Sequence, residues 1–547
     1  MRRTTRDRAV IRMNRALACA ALAAATALSA CASDAETSAD PGGRGASDVQ
    51  TPAEAAGWRS QVLYLTLPDR FRNGDPSNDD LGAPGCHQPS DPHRFHGGDI
   101  EGLRQNLDYV RATGATAIWV TPLYRQVPRL PNGDCGYHGY WADYVSPDDG
   151  AIEPKLGTPA DLTRLVGDVH AAGLKLVLDM VVNHTGDIAQ LPHLHPEWFH
   201  DPRTCGGLGD PQIFCPVDGH PDFAQERGDV AAFLSNAAAR WIKTYGIDGI
   251  RMDTAKHVLP SYFKNSFFPA VRGANPNVFS VAEVFDEGSV DGYGTYIDAG
   301  FDSAFHFKLR RALVDGIAHG GSVDPIAGAV AEGIARLGMG RALDLVLMMD
   351  NHDVPRFVNE PGMGVDENEI RRRAMLALDL LFTLPGVPQL YAGDELGLYG
   401  GADPDNRRDI PGWVTDAGAR AVRHPGDAVP GADQIFARVS ALARMRTTTP
   451  ALVDGAYREL WRQNGNNHPN VFAFARGTGP GARVVVVSNG AANTGTMRIP
   501  IPAAIFPDKT ALRDDLGDGA PPTATITGGA LVVDLPGKSA AIYRAAP

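Results

Sequence analysis

The chain has 547 residues, of which 43% are hydrophobic and 21% charged, so it can bury one large core and carry one or two smaller domains besides. Its 51 basic and 64 acidic residues give a formal net charge of −13 at pH 7. Because nucleic-acid binding needs a clustered positive surface, this acidic balance argues against a nucleic-acid partner.

The N-terminus has the charge and hydrophobicity order of an export signal. Six arginines at positions 2–15 precede an apolar run at 16–30 that is too short for a conventional membrane-spanning helix. The run ends Leu28-Ser29-Ala30-Cys31, which resembles the lipobox of bacterial lipoproteins; the alternative is an ordinary cleavage site with an incidental cysteine. We therefore predict a signal peptide at 1–31, membrane attachment through Cys31 and a flexible linker at 32–52.

The expected location of the exported protein is the outer membrane. The residues after Cys31 are Ala32 and Ser33, which lack the Asp that often marks retention at the inner membrane. If Cys31 is not lipidated, the protein is expected to be secreted or periplasmic.

The cysteines outside the signal region predict disulfides. They are Cys86, Cys135, Cys205 and Cys215, an even number in an exported chain. Three pairings are possible; we favour Cys205 with Cys215, which closes one short loop, and by elimination Cys86 with Cys135. A zinc site is the rival interpretation, but the spacings match no CxxC pair.

From residue 60 onward, short apolar runs alternate with amphipathic stretches. Strands are predicted at 62–67, 115–122, 174–182, 247–253, 278–283, 303–307, 343–350 and 389–392, and helices at 100–113, 159–172 and 229–245. The run at 174–182 is aliphatic without alternation, as expected of a strand buried on both faces. About eight such units predict an α/β fold with a (β/α)8 barrel, although an open doubly wound sheet would give a similar pattern.

Two regions depart from this alternation. The stretch 184–225 is rich in Pro, His, Gly and Cys and is too long for an ordinary loop, which predicts a small inserted domain. Short strands at 471–474, 483–488, 496–499 and 530–535 lie between Gly and Asn turns and predict an all-β domain at 451–547. The barrel would comprise 53–183 and 226–450.

Polar residues follow the predicted barrel strands where each strand ends, which is where such barrels build their sites. They are Asp179, Asn183 and His184 after the third strand, Arg251, Asp253, Lys256 and His257 at the fourth, Glu283 at the fifth, and Asp350 to Asp353 at the seventh. A single carboxylate at a strand end is often a helix N-cap. Several on one rim indicate a positive ligand or a reaction driven by carboxylates.

These segments resemble the four signature regions of the α-amylase family of glycoside hydrolases (family thirteen), in order and spacing. The stretches 69–71, 137–141 and 403–407 are also similar to motifs of that family. The resemblance covers most of residues 60–450 and implies a (β/α)8 TIM barrel, a domain B inserted after the third strand and a C-terminal β-sandwich. It also implies a monomer that cleaves α-1,4 bonds in starch, maltodextrin or related α-glucans.

By position, the resemblance implies that Asp253 is the nucleophile, Glu283 the acid/base and Asp353 the third carboxylate, which binds sugar hydroxyls. Retaining cleavage needs one ionised and one protonated carboxyl roughly 5–5.5 Å apart. We expect Arg251 to lower the pKa of Asp253, and the acidic neighbours to raise that of Glu283. The implied substrate-binding residues are His138, Tyr140, Asp179, His184, Arg251, Lys256, His352, Asp403 and Arg407.

Calcium is the metal that the resemblance implies, since it takes carboxylate, amide and backbone oxygens. The first implied site comprises Asn183 and Asp222 with the carbonyls of His257 and Ile213. The segment His220-Pro221-Asp222-Phe223 departs from the usual hydrophobic-Pro-Asp-Leu pattern, which weakens this alignment. A second cluster resembles a calcium loop of cyclodextrin glucanotransferases, or else is a plain turn: Asn73, Asp75, Asn78, Asp79, Gly97 and Asp99.

Two other functions compete with hydrolysis. One is a cyclodextrin-forming transglycosylase, which the N-terminal half resembles; a single C-terminal β domain, and Asp218 where that group carries a central aromatic residue, disfavour it. The other is a glucan-binding surface lipoprotein with an inactive barrel, against which the intact Asp253, Glu283 and Asp353 argue.

Overall fold

In the computed structural model, the chain is described for residues 57–143, 151–410, 427–463 and 470–547. The predicted signal peptide, Cys31 and the linker lie outside these ranges. All described residues belong to one compact unit that begins at Gln50. No helix within the described ranges has the length and apolar character needed to cross a membrane.

Eight parallel strands form one sheet that carries the chemistry described below. They are β1 Leu63–Thr66, β2 Ala117–Val120, β3 Lys175–Met180, β4 Gly249–Met252, β5 Phe279–Ala282, β6 Ser303–Ala304, β7 Val346–Leu347 and β8 Val387–Tyr391. The order is β6-β5-β4-β3-β2-β1-β8-β7, and a parallel bridge from Phe305 to Val346 joins the two outer strands. The predicted (β/α)8 barrel is thereby confirmed.

The barrel strands are buried along nearly their whole length, which explains their largely apolar sequences; the polar exceptions include Asp179 in β3 and Arg251 in β4. Except for β8, the strands are shorter than the runs that predicted them. The difference is largest in β7, and both β6 and β7 contain only two residues. At the end of β6 the backbone turns directly into a helix that begins at Phe307, so the strand predicted at 303–307 is too long.

Helices pack around the barrel and return the chain to its N-terminal end. The longer ones are Ile100–Gln105, Leu107–Thr113, Pro159–Ala171, Gly228–Tyr245, Phe268–Ala274, Asp291–Asp298, Phe307–Leu313, Asp324–Ala342, Glu367–Thr383 and Ala432–Thr448. Local sequence sets their ends. Thr158 caps the third of these helices through a capping box with Asp161, and Gly246, in the left-handed region at φ 73°, ends the fourth.

The single helix predicted at 100–113 is two helices, because the backbone leaves helical geometry at Asn106. The side chain of Asn106 donates to the Gly102 carbonyl at 2.7 Å, which is a local alternative to continuing the helix.

Between β3 and the helix at Gly228 the chain forms only short helical segments, at Leu191–Leu194, Pro196–Trp198, Cys205–Gly207 and Pro211–Phe214. Two bridges, His184 with Asp222 and Phe199 with Phe223, tie the end of this segment to its beginning. The disulfides Cys86–Cys135 and Cys205–Cys215 are both present, so the favoured pairing is confirmed.

The C-terminal part is all-β, as predicted. Its strands are β9 Tyr457–Gln463, β10 Val471–Arg476, β11 Arg483–Ser488, β12 Met497–Pro500, β13 Ala511–Asp514, β14 Thr523–Thr525, β15 Ala530–Val533 and β16 Ser539–Ala545. They form a six-stranded sheet, β14-β13-β16-β11-β10-β9, and a two-stranded sheet of β12 and β15. The sequence analysis missed β9, β13, β14 and β16.

Candidate active site

One buried arginine, Arg251 in β4, contacts the acidic groups at the centre of the barrel rim. Its Nη1 donates to Asp253 Oδ1 at 2.6 Å and to Asp179 Oδ1 at 3.0 Å. Its Nη2 lies 2.5 Å from Glu283 Oε1 and 4.0 Å from Asp353 Oδ2. The ends of β3, β4 and β5 and the loop after β7 therefore gather four carboxyl groups around one guanidinium.

The two carboxyl groups closest to this guanidinium are both nearly removed from solvent. Asp253 is 7% exposed and Glu283 6%. Burial, with smaller contributions from Asp253 and Asp353 and against the opposing effect of Arg251, raises the pKa of Glu283 to about 8. The expected upward shift of Glu283 is confirmed, although burial is its main cause. Glu283 therefore holds a proton at neutral pH.

Burial also raises the pKa of Asp253, because lost solvation outweighs the ion pair with Arg251. The expected lowering by Arg251 is present, through an ion pair and a hydrogen bond at 2.6 Å, but it does not bring this pKa below its ordinary value.

Asp353 is the most accessible member of the group, with 31% of its side chain exposed. Arg407 Nη2 donates to Asp353 Oδ1 at 3.3 Å, and Arg407 Nε donates to the His352 carbonyl at 2.8 Å. Partial burial raises the pKa of Asp353, but His352, Arg407 and Arg251 together lower it below its usual range. Asp403, also assigned to the substrate by resemblance, lies 3.1 Å from Arg407 Nη1.

Asp179 is fully buried behind these groups. It accepts hydrogen bonds from Tyr140 Oη at 2.7 Å, from Trp119 Nε1 at 3.1 Å and from Arg251. Burial raises its pKa to about 7 while Arg251 lowers it. Although the resemblance assigns Asp179 to substrate binding, this position makes it a residue that orients Arg251 and Tyr140.

Ring side chains assigned to sugar binding form a stack beside the carboxyl groups. The Tyr140 ring lies 5.1 Å from the His352 ring and 5.7 Å from the His138 ring, nearly parallel to both. Burial lowers the pKa of His352 and of His184 to about 3, and that of His138 well below its ordinary value, so these imidazoles are neutral. Within the described residues, neither ring nitrogen of His352 makes a hydrogen bond; both are buried, and Nε2 lies 3.3 Å from Asp353 Oδ2.

Two residues that follow Asp253 at the end of β4 form hydrogen bonds with the segment that follows β5. Thr254 has a left-handed backbone at φ 46°, and its N–H donates to Glu283 Oε2 at 2.8 Å. Lys256 Nζ donates to the Phe285 carbonyl at 2.8 Å. Lys256 is thus placed at the rim, as the resemblance implies, but its ammonium is already bound to the loop after Glu283.

Trp119 and Thr254 are site residues that the sequence analysis missed. Trp119 bonds Asp179 and lies under the Arg251 guanidinium, 5.3 Å from its ring centre. The only signal for Trp119 in the sequence is a tryptophan at the end of a buried strand. Packing in the hydrophobic core would explain such a residue equally well. The strained φ of Thr254 has no signature in its side chain.

The first implied calcium site has two buried oxygens without a protein partner. Asn183 Oδ1 and Asp222 Oδ1 make no hydrogen bond within the described residues, and both side chains are at most 1% exposed. The other carboxylate oxygen of Asp222 lies 2.7 Å from His200 Nδ1. Such orphaned oxygens suit a hard cation. No cluster of three or more His, Cys, Asp or Glu side chains suited to a metal occurs in the described ranges.

The segments that carry the implied carbonyl ligands Ile213 and His257 contact each other. Ile213 belongs to the short helix Pro211–Phe214, and the preceding Gln212 carbonyl lies 2.8 Å from His257 Nδ1. Gln212 Nε2 in turn donates to the Lys256 carbonyl at 3.0 Å. The roles of the Ile213 and His257 carbonyls stay predictions.

The second implied calcium cluster also has orphaned amide oxygens. Asn73 Oδ1 and Asn78 Oδ1 are buried without a partner in the described ranges. Asn73 Nδ2 donates to Asp79 Oδ1 at 2.8 Å. A Cβ on Gly97, which has φ 94°, would meet both Asn73 Nδ2 and Asp79 Oδ1 at 2.7 Å, so only glycine fits there.

Two members of this cluster have other partners. Asp99 caps the helix at Ile100 through the Gly102 N–H and also accepts from the Gly74 and Asp75 N–H groups. Asp75 is exposed and accepts from Ser77, which is the arrangement of an ordinary turn.

Comparison with known proteins gives a family match that extends over much of the chain. The family model described as "Alpha amylase, catalytic domain" matches residues 65–200 and 213–427. The chain is 30% identical to a β/α-amylase of Paenibacillus polymyxa, over 79% of this chain and 34% of that protein. It is 27% identical to an α-amylase of Streptomyces lividans, over 84% of this chain and 57% of that protein. The chain thus spans between about a third and three fifths of the length of these two relatives.

Among solved structures, an Anoxybacillus α-amylase superimposes with a TM-score of 0.76 at 27% identity, covering 90% of this chain and 98% of that one. With its catalytic-domain match extending over more than half of the sequence, this chain belongs to the α-amylase family.

Proposed function

We propose that this chain is a retaining glycoside hydrolase that cleaves α-1,4-glucosidic bonds in starch, maltodextrin or related α-glucans. The observation that carries the proposal is the pairing of Asp253 and Glu283 on one guanidinium, with the pKa of Glu283 raised to about 8. Two carboxyl groups on one arginine lie close together, as the roughly 5–5.5 Å separation of retaining enzymes requires. One proton on this pair belongs to Glu283.

The reaction follows from these protonation states. Glu283 gives its proton to the glycosidic oxygen while the Asp253 carboxylate attacks the anomeric carbon, so the C–O bond breaks and a glycosyl ester forms. The ionised Glu283 then takes a proton from water, whose oxygen attacks the same carbon and releases Asp253. Two inversions at one carbon retain the α configuration.

The remaining side chains act on the sugar ring. Asp353 has a lowered pKa and a side chain that is 31% exposed, so its carboxylate can bond sugar hydroxyls whose polarity changes as positive charge develops. The Tyr140 ring, stacked between His138 and His352, gives the glucose ring a flat surface.

We also propose that calcium binds at Asn183 and Asp222, with the carbonyls of His257 and Ile213. The orphaned oxygens of Asn183 and Asp222 support this site. The ion would join the end of β3 to the far end of the segment 184–225 and stabilise the wall of the cleft. The cluster of Asn73, Asn78, Asp79, Gly97 and Asp99 supports a second ion in the same way.

A transglycosylase that forms cyclodextrins or maltooligosaccharides is the second candidate. Cyclomaltodextrin glucanotransferases are also relatives of this chain, and both reactions begin with the same glycosyl ester. Asp218 is exposed where the resemblance places the aromatic residue of that group, and a carboxylate offers no stacking face to a curved sugar chain. This difference favours water as the acceptor.

The test is incubation with soluble starch, with reducing sugars measured and products separated by chromatography. We expect linear maltooligosaccharides whose first-formed anomer is α by NMR, and no release by Asp253→Asn. Cyclic products as the main fraction would favour the transglycosylase, and turnover by Asp253→Asn would contradict the mechanism.

For location, we propose that the exported protein is attached to a membrane through lipid on Cys31. The lipobox-like Leu28-Ser29-Ala30-Cys31 supports this. A tether of about twenty residues spans roughly 25 Å, which would let the barrel rim meet a bulky polysaccharide. Since one acyl chain binds only marginally, stable attachment requires the several chains that bacterial lipoproteins carry.

A further inference from the structure

His220 stands where the family resemblance expects a hydrophobic residue, and its side chain makes polar contacts at the edge of the site. Its Nδ1 lies 2.5 Å from Asp187 Oδ1, which orients the imidazole. The His220 side chain is 16% exposed and that of Asp187 47%, so this pair is at the protein surface. With Nδ1 bound by Asp187, Nε2 is the ring nitrogen that points away from that carboxylate.

The His220 ring also belongs to the wall built by the sugar-binding rings. It stacks on His184 with centroids 5.1 Å apart and 18° between planes, and lies 6.3 Å from the Trp141 ring. Trp141 meets His138 edge-on at 4.6 Å, and His138 belongs to the stack described above. The wall therefore continues from the carboxyl groups outward in one unbroken series: His352, Tyr140, His138, Trp141, His220 and His184.

The apolar packing of this wall does not require a histidine. A leucine at 220 could fill the same space against His184 and Trp141, as the family pattern predicts. The imidazole adds one feature to that packing, a nitrogen at the open edge of the wall, and Asp187 fixes its direction. Such a fixed, partly exposed polar group beside stacked rings is the usual composition of a sugar-binding surface.

We propose that His220, oriented by Asp187, hydrogen-bonds a hydroxyl of the bound glucan, and so determines how strongly the enzyme holds short glucans. This rests on the proposed α-glucan hydrolysis. The bond is made equally in the bound substrate and in the transition state, so it acts on KM and leaves kcat nearly unchanged. His220 is thus a specificity-determining residue from the segment 184–225.

The experiment measures kcat and KM of wild type, His220→Leu, His220→Gln and Asp187→Ala with maltoheptaose, in the presence of calcium. Loss of one hydrogen bond should raise KM about 3- to 10-fold in His220→Leu, with kcat within about twofold. Asp187→Ala should raise KM by less, because the imidazole remains but is free to rotate. The glutamine amide can reach the same hydroxyl, so His220→Gln should recover much of the loss.

The same segment offers a matched control. His195 pairs with Glu197 at 3.1 Å and stacks on Trp198 at 4.5 Å, outside the wall. His195→Leu should leave KM unchanged. A purely structural role for His220 would appear as a lower Tm and lower kcat in both His220→Leu and His220→Gln, and would overturn the proposal.

The outcomes for the two proposals are separate. Wild type that fails to hydrolyse maltoheptaose refutes the proposed function itself. Wild type that hydrolyses it while His220→Leu has an unchanged KM refutes only the role of His220.

Discussion

Replacing Glu283 by Gln should separate the two halves of the proposed reaction. The amide keeps the size of the side chain but has no proton to give, and general acid catalysis contributes about 10²- to 10⁴-fold. On maltoheptaose, kcat should fall by at least this factor. On an α-maltosyl fluoride, whose leaving group needs no protonation, formation of the glycosyl ester should stay near the wild-type rate.

The pH dependence of the reaction also tests the assignment of Glu283 as the proton donor. Burial raises the pKa of Glu283 to about 8, so kcat/KM on maltoheptaose should be level just below that pH and should fall at lower pH, where the nucleophile Asp253 takes up a proton. It should fall about tenfold per unit as pH rises through 8, since the proton donor is lost. With the fluoride, this alkaline limb should be absent from the ester-forming step, which is measured as a burst of fluoride release.

The matched control is Glu332→Gln, which makes the same chemical change at a side chain 40% exposed and paired with Lys308. It should not alter either substrate's kinetics. If Glu283→Gln slows both substrates equally, then Glu283 is not the proton donor and the reasoning from its raised pKa is refuted.

Two further predictions concern the metal and the anchor. Treatment with a chelator should lower the Tm of the wild type by several degrees, because calcium at about 100 times its Kd stabilises the fold by about 2.7 kcal/mol. The Tm of Asp222→Asn should change much less. An unchanged Tm of the wild type would contradict the calcium site. In cell fractionation, wild type should pellet with membranes and Cys31→Ser should be soluble; identical soluble distribution of both would exclude Cys31 as an anchor.

The barrel and the positions of its acidic groups could be predicted because one physical constraint shapes both. A parallel strand buried on both faces is largely apolar, so a run such as Leu176 to Leu178 is visible in the sequence, and polar residues such as Asp179 and Asp253 mark where such runs end. Parallel strands end on the same rim, which brings Asp253 and Glu283 together from sequence positions thirty residues apart.

The features of the site that could not be predicted depend on how far each side chain is exposed to solvent. The sequence places Arg251 two residues before Asp253 but does not show that both side chains are buried. This burial raises the pKa of Asp253, although Arg251 lowers it. It gives Asp179 the same appearance as a substrate ligand, although the fold closes over it. The strand β16 was missed, and its pairing partners β11 and β13 are both distant from it in sequence.

Charge balance explains why this site keeps a proton on Glu283. Four carboxyl groups, Asp179, Asp253, Glu283 and Asp353, surround Arg251, and Arg407 is the next cation at Asp353. If all four were ionised, two negative charges would remain uncompensated in a largely buried cluster, which is costly.

Hydrogen bonds distinguish Glu283 from two of the other carboxyl groups. Asp179 accepts from Tyr140, Trp119 and Arg251, and the Asp353 side chain is 31% exposed, whereas Glu283 is buried and accepts one backbone N–H from Thr254. The pKa of Glu283, raised to about 8, therefore suits a proton donor that is in place before the substrate binds.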